Sequence, residues 1–241
     1  MKNLTCIESH IKNTAGHFGS FIIAPLEIGQ GITLGNALRR TLLSDLSGFA
    51  ITGVRINNLK HEFSIVEGLR EDILEILLNL KEIIFKSSLF NNKNITKFCS
   101  KLVVKGPAVV TAGMFNLPIN KLNILNPNHY ICTILDNSDL LIEIDIEKGK
   151  GYALGEEKSD LNFSNRQESM IPKTLAVDAI FMPIRKVNYK VKLINDTLGN
   201  LKEELQVDIL TNGSITPKRS LQEALKIILN MIYPLFDVQI L

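Results

Sequence analysis

At 241 residues, 45% of them hydrophobic, the chain is long enough to bury one large core or two smaller ones. Its 27 Lys and Arg against 25 Asp and Glu leave a formal charge of +2, which excludes a strong field for DNA or an anionic membrane. Three cysteines, Cys6, Cys99 and Cys132, without CxxC spacing exclude a disulfide framework and a zinc site and point to a reducing compartment.

At the N-terminus, MKNLTCIESHIKN, polar residues interrupt every short apolar run, so neither a secretory core nor an Arg-rich transit peptide is predicted. No later stretch is long and apolar enough to predict a membrane span. Residues 17–28 read as a strand in which Pro25 marks a break, an edge or a bulge. Gly31–Ser47, GITLGNALRRTLLSDLS, then predicts a helix that starts at an N-cap Thr33 and ends near Gly48. One face carries Gly35, Leu38, Leu42, Leu46 and Phe49 at spacings of three and four, a stripe for burial. The other sets Arg39 and Arg40 beside Leu43 and Ser44, two cations bordering an apolar side chain. Two solvated arginines on an ordinary amphipathic helix give the same pattern. Ala50–Ile56 reads as a strand buried mainly on one side. Leu69, Ile73, Ile76, Leu77, Leu80 and Ile84 predict a second helix, with Glu71, Asp72 and Glu75 opposite and near its positive N-terminal end.

Beyond the polar Asn91–Thr96 loop the pattern shifts to short strands: Lys101–Lys105, Tyr130–Leu135 and Leu140–Ile146. In the last, Leu140, Ile142, Ile144 and Ile146 alternate with Glu143, Asp145 and Glu147. Glu156–Arg166 reads as a surface loop, and Val187–Ile194 and Leu205–Leu210 as two further strands that join the sheet around the first helix. Asn212-Gly213 signals a tight turn, and Thr216-Pro217 a cap followed by proline at the first helical position. The final helix carries Leu221, Ala224, Leu225, Ile228, Leu229 and Ile232 on one stripe, which needs a partner, either the chain's own sheet or a second copy across a two-fold axis.

Chemistry finds little to work with. The turn Gly29–Gly35 opens a helix as a phosphate cradle would, but lacks the GK[ST] of a P-loop and the GxGxxG of a dinucleotide site. The four histidines are scattered, no serine sits in GxSxG, and Asp136, Asp139 and Asp145 read as the wet side of a strand. No catalytic residue, metal or cofactor is predicted.

The string TLGNALRRTLLS, preceded by Gly29 and Gly31, resembles the signature helix of the α-subunit family of bacterial and plastid DNA-directed RNA polymerases. Further matches follow in the family's order: HEFSIVEGLREDILEILLNLK (His61–Lys81), KGKGY (Lys148–Tyr152), VDAIFMPIR (Val177–Arg185) and TNGSITP (Thr211–Pro217). The resemblance implies an α+β fold, with a discontinuous dimerisation domain (1–48 and 184–241) made of a sheet and two helices that pack across a two-fold. A mostly β domain (49–183) is inserted into it and meets the large subunits. It implies a non-catalytic subunit that homodimerises and forms the platform for the β and β′ subunits. Leu38, Leu42, Leu46, Leu221, Leu225, Ile228 and Ile232 are then expected at the dimer seam. Arg39, Arg40, Leu43 and Ser44 are expected on β, and Lys81 and Val177 on β′. Lys148, Gly149, Lys150, Gly151, Tyr152, Pro183 and Arg185 are expected at other large-subunit surfaces. The family usually continues into a small helical domain that touches promoter DNA; here the chain stops at Leu241, so DNA is expected to be reached only through the assembled enzyme. Abundant Ile, Asn and Lys point to a plastid-encoded version in the stroma, with a bacterial cytosol as the other setting. Two other classes compete: a small nucleotide-binding enzyme using Gly29–Gly35, and a dimeric protein-binding module unrelated to transcription.

Overall fold

A strand near the beginning of the chain pairs with one near its end, and this closes the first of two compact units. The computed structural model describes residues 3–12, 16–57, 59, 63, 66–87, 97–118, 121–155, 174–196 and 199–236. In order they form β1 (Asn3–Lys12), β2 (Gly16–Leu26), α1 (Gln30–Ser44), β3 (Ser47–Ile56), α2 (Ile73–Lys81), β4 (Phe85–Ser87), β5 (Lys97–Lys105) and β6 (Ala108–Thr111). After a 3-10 turn come β7 (Leu122–Ile124), β8 (Tyr130–Ile134), β9 (Asp139–Lys150), β10 (Tyr152–Ala153), β11 (Leu175–Ala176), β12 (Ala179–Ile180), β13 (Ile184–Asn195), β14 (Leu201–Thr211) and α3 (Pro217–Phe236). The units are Met1–Ser47 with Met182–Leu241, and Gly48–Phe181. The fold is mixed α+β, dominated by strands.

In the first unit an antiparallel sheet runs β1-β2-β14-β13. Alternation on β14 puts Leu205, Val207 and Ile209 on one face with Phe21, Ile23 and Val187, and these bury Leu38 and Leu42 of α1, Leu46 just after it, and Leu221 and Ala224 of α3. Each large side chain buried this way stabilises the unit by about 1.5–3 kcal/mol gross. Gly35 is small because it must be: a Cβ there would lie 2.6 Å from the Tyr189 ring.

The first helix begins three residues before the expected Thr33. Its cap is Gly29, at φ 88°, and the capping oxygens come from far away: buried Glu203 of β14 accepts the Gly29 and Gly31 amides at 2.9 and 2.8 Å. A carboxylate there satisfies donors that the helix leaves open and meets the positive end of its dipole. The Thr33 hydroxyl instead donates back to the Gly29 carbonyl at 3.1 Å. Phe49 also departs from the expected stripe: it packs on the core of the second unit.

The N-terminal strand β1 was not legible as a strand, because each described side chain from Leu4 to Ile11 is exposed and no burial pattern marks it. It is held by its ladder with β2.

The second unit has a four-stranded sheet, β11-β3-β9-β5, and three two-stranded pairs, β4-β7, β6-β8 and β10-β12. Leu140, Ile142, Ile144 and Ile146 stand opposite Val104, Leu102, Ser100 and Phe98, which fixes the core face. Strand β3 is central and Ala50–Val54 is buried on both sides, not mainly on one. The second helix starts at Ile73, because Leu69 bridges to Ile134 and buried Glu71 turns inward. Glu71 accepts the Tyr130 hydroxyl and, at 2.7 Å, the Thr133 amide, and it pairs with Arg70 at 3.0 Å. Burial alone would raise its pKa; those three partners outweigh it and hold the carboxyl below its usual range. The expected Asn91–Thr96 and Glu156–Arg166 loops lie outside the described residues.

Replacing Glu203 by Ala removes the carboxylate that, among the described residues, accepts the buried Gly31 amide. Urea unfolding followed by circular dichroism is expected to show a loss of about 1–3 kcal/mol, the cost of an unsatisfied buried donor.

Candidate functional site

Two surfaces concentrate the residues singled out in the sequence, one in each unit. On α1 the buried side is Gly31, Gly35, Leu38, Thr41 and Leu42, so Arg39, Arg40 and Ser44 point to solvent. Leu43 is half-buried against the core, leaving part of its surface beside them. The Ser44 hydroxyl is committed to the Arg40 carbonyl at 2.8 Å. Among the described residues, neither Arg39 nor Arg40 forms an ion pair.

The seven residues expected at a seam divide sharply. Leu38, Leu42, Leu46 and Leu221 are between 0% and 2% exposed inside a single chain, so they have no surface left to offer a second copy. Leu225 and Ile228 are half-buried, and Ile232 is exposed. Beyond the expected stripe, Leu229, Met231, Tyr233 and Leu235 are also exposed, so the end of α3 is apolar and uncovered.

In the second unit, two separated segments converge on Asp178. Its carboxylate takes the Tyr152 hydroxyl at 2.7 Å, the Gly155 amide at 3.1 Å and the Lys81 ammonium at 3.4 Å. The Lys81 ammonium also lies over the Tyr152 ring, 5.4 Å from its centre. Lys81 closes α2, where a cation meets the helix dipole favourably. Val177, the residue singled out beside it, is buried in the core, and its amide donates to the Thr52 carbonyl at 3.2 Å. The surface group of that segment is Asp178, which sequence reasoning missed; alternation from a buried Val177 is the signal that places it outward.

Of the remaining residues, Tyr152 and Lys150 are exposed, and Lys148, Gly149 and Gly151 are half-buried. Gly149 lies where a Cβ would meet the Phe181 ring at 2.6 Å. Pro183 is buried and Arg185 exposed, both in the first unit. Of the acids read as the wet side of a strand, Asp136 and Asp139 are exposed, whereas Asp145 is buried and paired: Arg55 holds it at 3.2 Å and Glu143 at 3.1 Å, and the Cys99 thiol donates to it at 2.7 Å. The glycine turn weighed as a phosphate cradle already holds a carboxylate, that of Glu203.

A family model described as the RNA polymerase Rpb3/RpoA insert domain matches residues 54–182, almost the whole of the second unit. Over 98% of its length the chain is 46% identical to the DNA-directed RNA polymerase subunit alpha of Pyrenomonas salina, covering 70% of that protein. The chain belongs to the family of DNA-directed RNA polymerase α subunits. The subunit of the same name from Pyropia yezoensis is 44% identical over 95% of this chain and 69% of its own length. That from Trichormus variabilis is 40% identical over 98% and 71%. As an α subunit, the chain is part of a nucleotidyltransferase complex that transcribes DNA.

The Tyr152 hydroxyl, then the Gly155 amide, with Lys81 adding to them, hold the Asp178 carboxyl below its usual range. A lowered folded pKa means that this stabilisation is present above the unfolded pKa and is lost as pH falls through the folded one. Tyr152→Phe is expected to move the Asp178 titration, read by carboxyl-carbon NMR, upward toward the ordinary value; an unmoved titration would show that the hydroxyl does not set it.

Proposed function

We propose that two copies of this α subunit pair through α1 and α3, and that the pair is the platform on which the large β and β′ subunits assemble. The uncovered end of α3 carries this reading: Leu229, Met231, Ile232, Tyr233 and Leu235 leave an apolar surface on a helix whose first half is already packed. Apolar surface of this kind is stable in water only when a partner covers it. Leu225, Ile228 and Ile232 continue it toward the core, and the fully buried Leu38, Leu42, Leu46 and Leu221 act behind it by holding the two helices in place.

The outward flank of α1 is the docking face for β. Arg39 and Arg40 offer rigid guanidinium forks to carboxylates or carbonyls, and the exposed part of Leu43 beside Ser44 supplies a dry contact. The cluster of Lys81, Tyr152 and Asp178 is the docking face for β′, with Val177 supporting Asp178 from the core. The end of β9 from Lys148, with Gly149, Lys150 and Gly151, leads into that cluster at Tyr152, and exposed Arg185, two residues after the buried Pro183, is a further contact from the first unit. The composition, rich in Ile, Asn and Lys, and the organisms of the relatives support a plastid stroma as the setting, with a bacterial cytosol as the other.

Arg40→Ala is expected to leave dimerisation unchanged and to weaken capture of recombinant β by about tenfold or more, the loss typical of an arginine hot spot. Loss of the dimer would show that α1 faces its twin with the opposite side. Ile232→Asp is expected to run as a monomer on a sizing column at concentrations where the unaltered chain is dimeric, because it sets a charge in the apolar seam.

A further inference from the structure

In the first unit, the register of β1 decides which of its side chains share the helix-bearing face of the sheet. Leu4 stands opposite Ile23, Cys6 opposite Phe21, Ser9 opposite Gly19 and Ile11 opposite His17. Directly opposed residues share a face. Phe21 and Ile23 belong to the core beneath α1 and α3, and Gly19 lies against Pro217, the first residue of α3. Leu4, Cys6, Ser9 and Ile11 therefore form an uncharged row on the side of the sheet that carries the helices. All four are exposed, Ile11 to 73%. The chain's own helices are placed elsewhere, α1 on β13 and β14 and α3 on β2 and β14.

A second uncovered surface sits on the same unit. Residues 227–235 of α3, IILNMIYPL, contain no charge, and Leu229, Met231, Tyr233 and Leu235 are each more than 60% exposed. One chain thus carries two unpartnered, uncharged surfaces, a strand row and a helix end. A two-fold axis repeats every contact, so a single pairing of row with helix end covers both surfaces on both copies. A second copy is the one occupant that brings both complements at once.

We propose that in the two-fold pair the last two turns of α3 from each copy lie across the Leu4–Ile11 row of the other copy's β1. This rests on the dimer proposed above and extends its α1 and α3 seam to the edge of the sheet. It also gives β1, which buries none of its described side chains within its own chain, a packing partner.

Cys6 lies in the row and serves as a native reporter. Every protein used carries Cys99→Ser, and Cys132 is buried. Chains that keep Cys6 are mixed with Cys6→Ser chains bearing Leu229→Cys or Tyr233→Cys, and treated with a short bis-maleimide. The expected product is an adduct of twice the chain mass that joins one chain of each kind and vanishes when both carry Cys6→Ser. A preparation that sediments as a dimer yet gives no such adduct at either position overturns this inference and leaves the dimer standing. A chain that stays monomeric overturns the dimer itself. As a second measurement, Leu4→Asp is expected to raise the dimer dissociation constant by at least about tenfold, whereas Thr5→Asp, on the opposite face, leaves it within about twofold. Equal effects of the two variants would also count against the proposed packing.

Discussion

The pairing of β2 with β14 is the constraint on which the first unit depends. It brings residues 17–26 against residues 203–211, so the opening and the close of the chain form one sheet. The Ser20 hydroxyl donates to Asp208 at 2.6 Å across this pairing, and Glu203 reaches from the same strand to the amides that start α1. Because Glu203 and the apolar residues of β14 lie on one face, the strand that closes the sheet also sets where the first helix begins and what it lies on. Such long-range closure costs chain entropy before it returns contacts, which is why buried apolar side chains on β2, β14, α1 and α3 must accompany it.

What the core uses determines what remains for partners. Leu38, Leu42 and Leu221 are wholly enclosed, so the helices that bear them are anchored firmly, and their free sides are presented from a rigid base. On α1 that free side is cationic; on α3 its far end is apolar. A charged flank and a greasy end suit two kinds of contact, one with a polar partner that supplies carboxylates or carbonyls and one with a surface as apolar as itself. In the second unit the same logic holds on a smaller scale: Val177 enters the core, and the neighbouring Asp178 gathers Lys81 and Tyr152 at the surface.

Much of this was legible where burial follows a simple period. Leu140, Ile142, Ile144 and Ile146 announce β9 because their side chains are enclosed on one face, and Thr216-Pro217 announces α3 because proline at the first turn loses no hydrogen bond. The misreadings share one cause, a partner distant in sequence. Thr33 looks like a cap, but Glu203, 172 residues from Gly31, takes that task. Glu71 looks like a helix-terminal acid, but Tyr130 and Thr133 draw it inward. Asp145 of β9 looks solvated, but Arg55 and Lys97 pair with it. Strand β1 left no mark at all, since a strand whose side chains are open to solvent within its own chain has no hydrophobic period to read. The motifs single out Lys81, Lys148–Tyr152 and Val177 separately; the fold sets Lys81 and Tyr152 on Asp178 and encloses Val177, so only the structure shows which residue of the last segment reaches the surface.

The account turns on whether the apolar end of α3 finds a second copy of the chain. Sedimentation equilibrium of the unaltered polypeptide over a wide range of concentration tests this most directly. The account predicts a species of twice the 26.9 kDa chain mass that dissociates only on dilution. A constant mass of 26.9 kDa, even in the most concentrated sample, would contradict it.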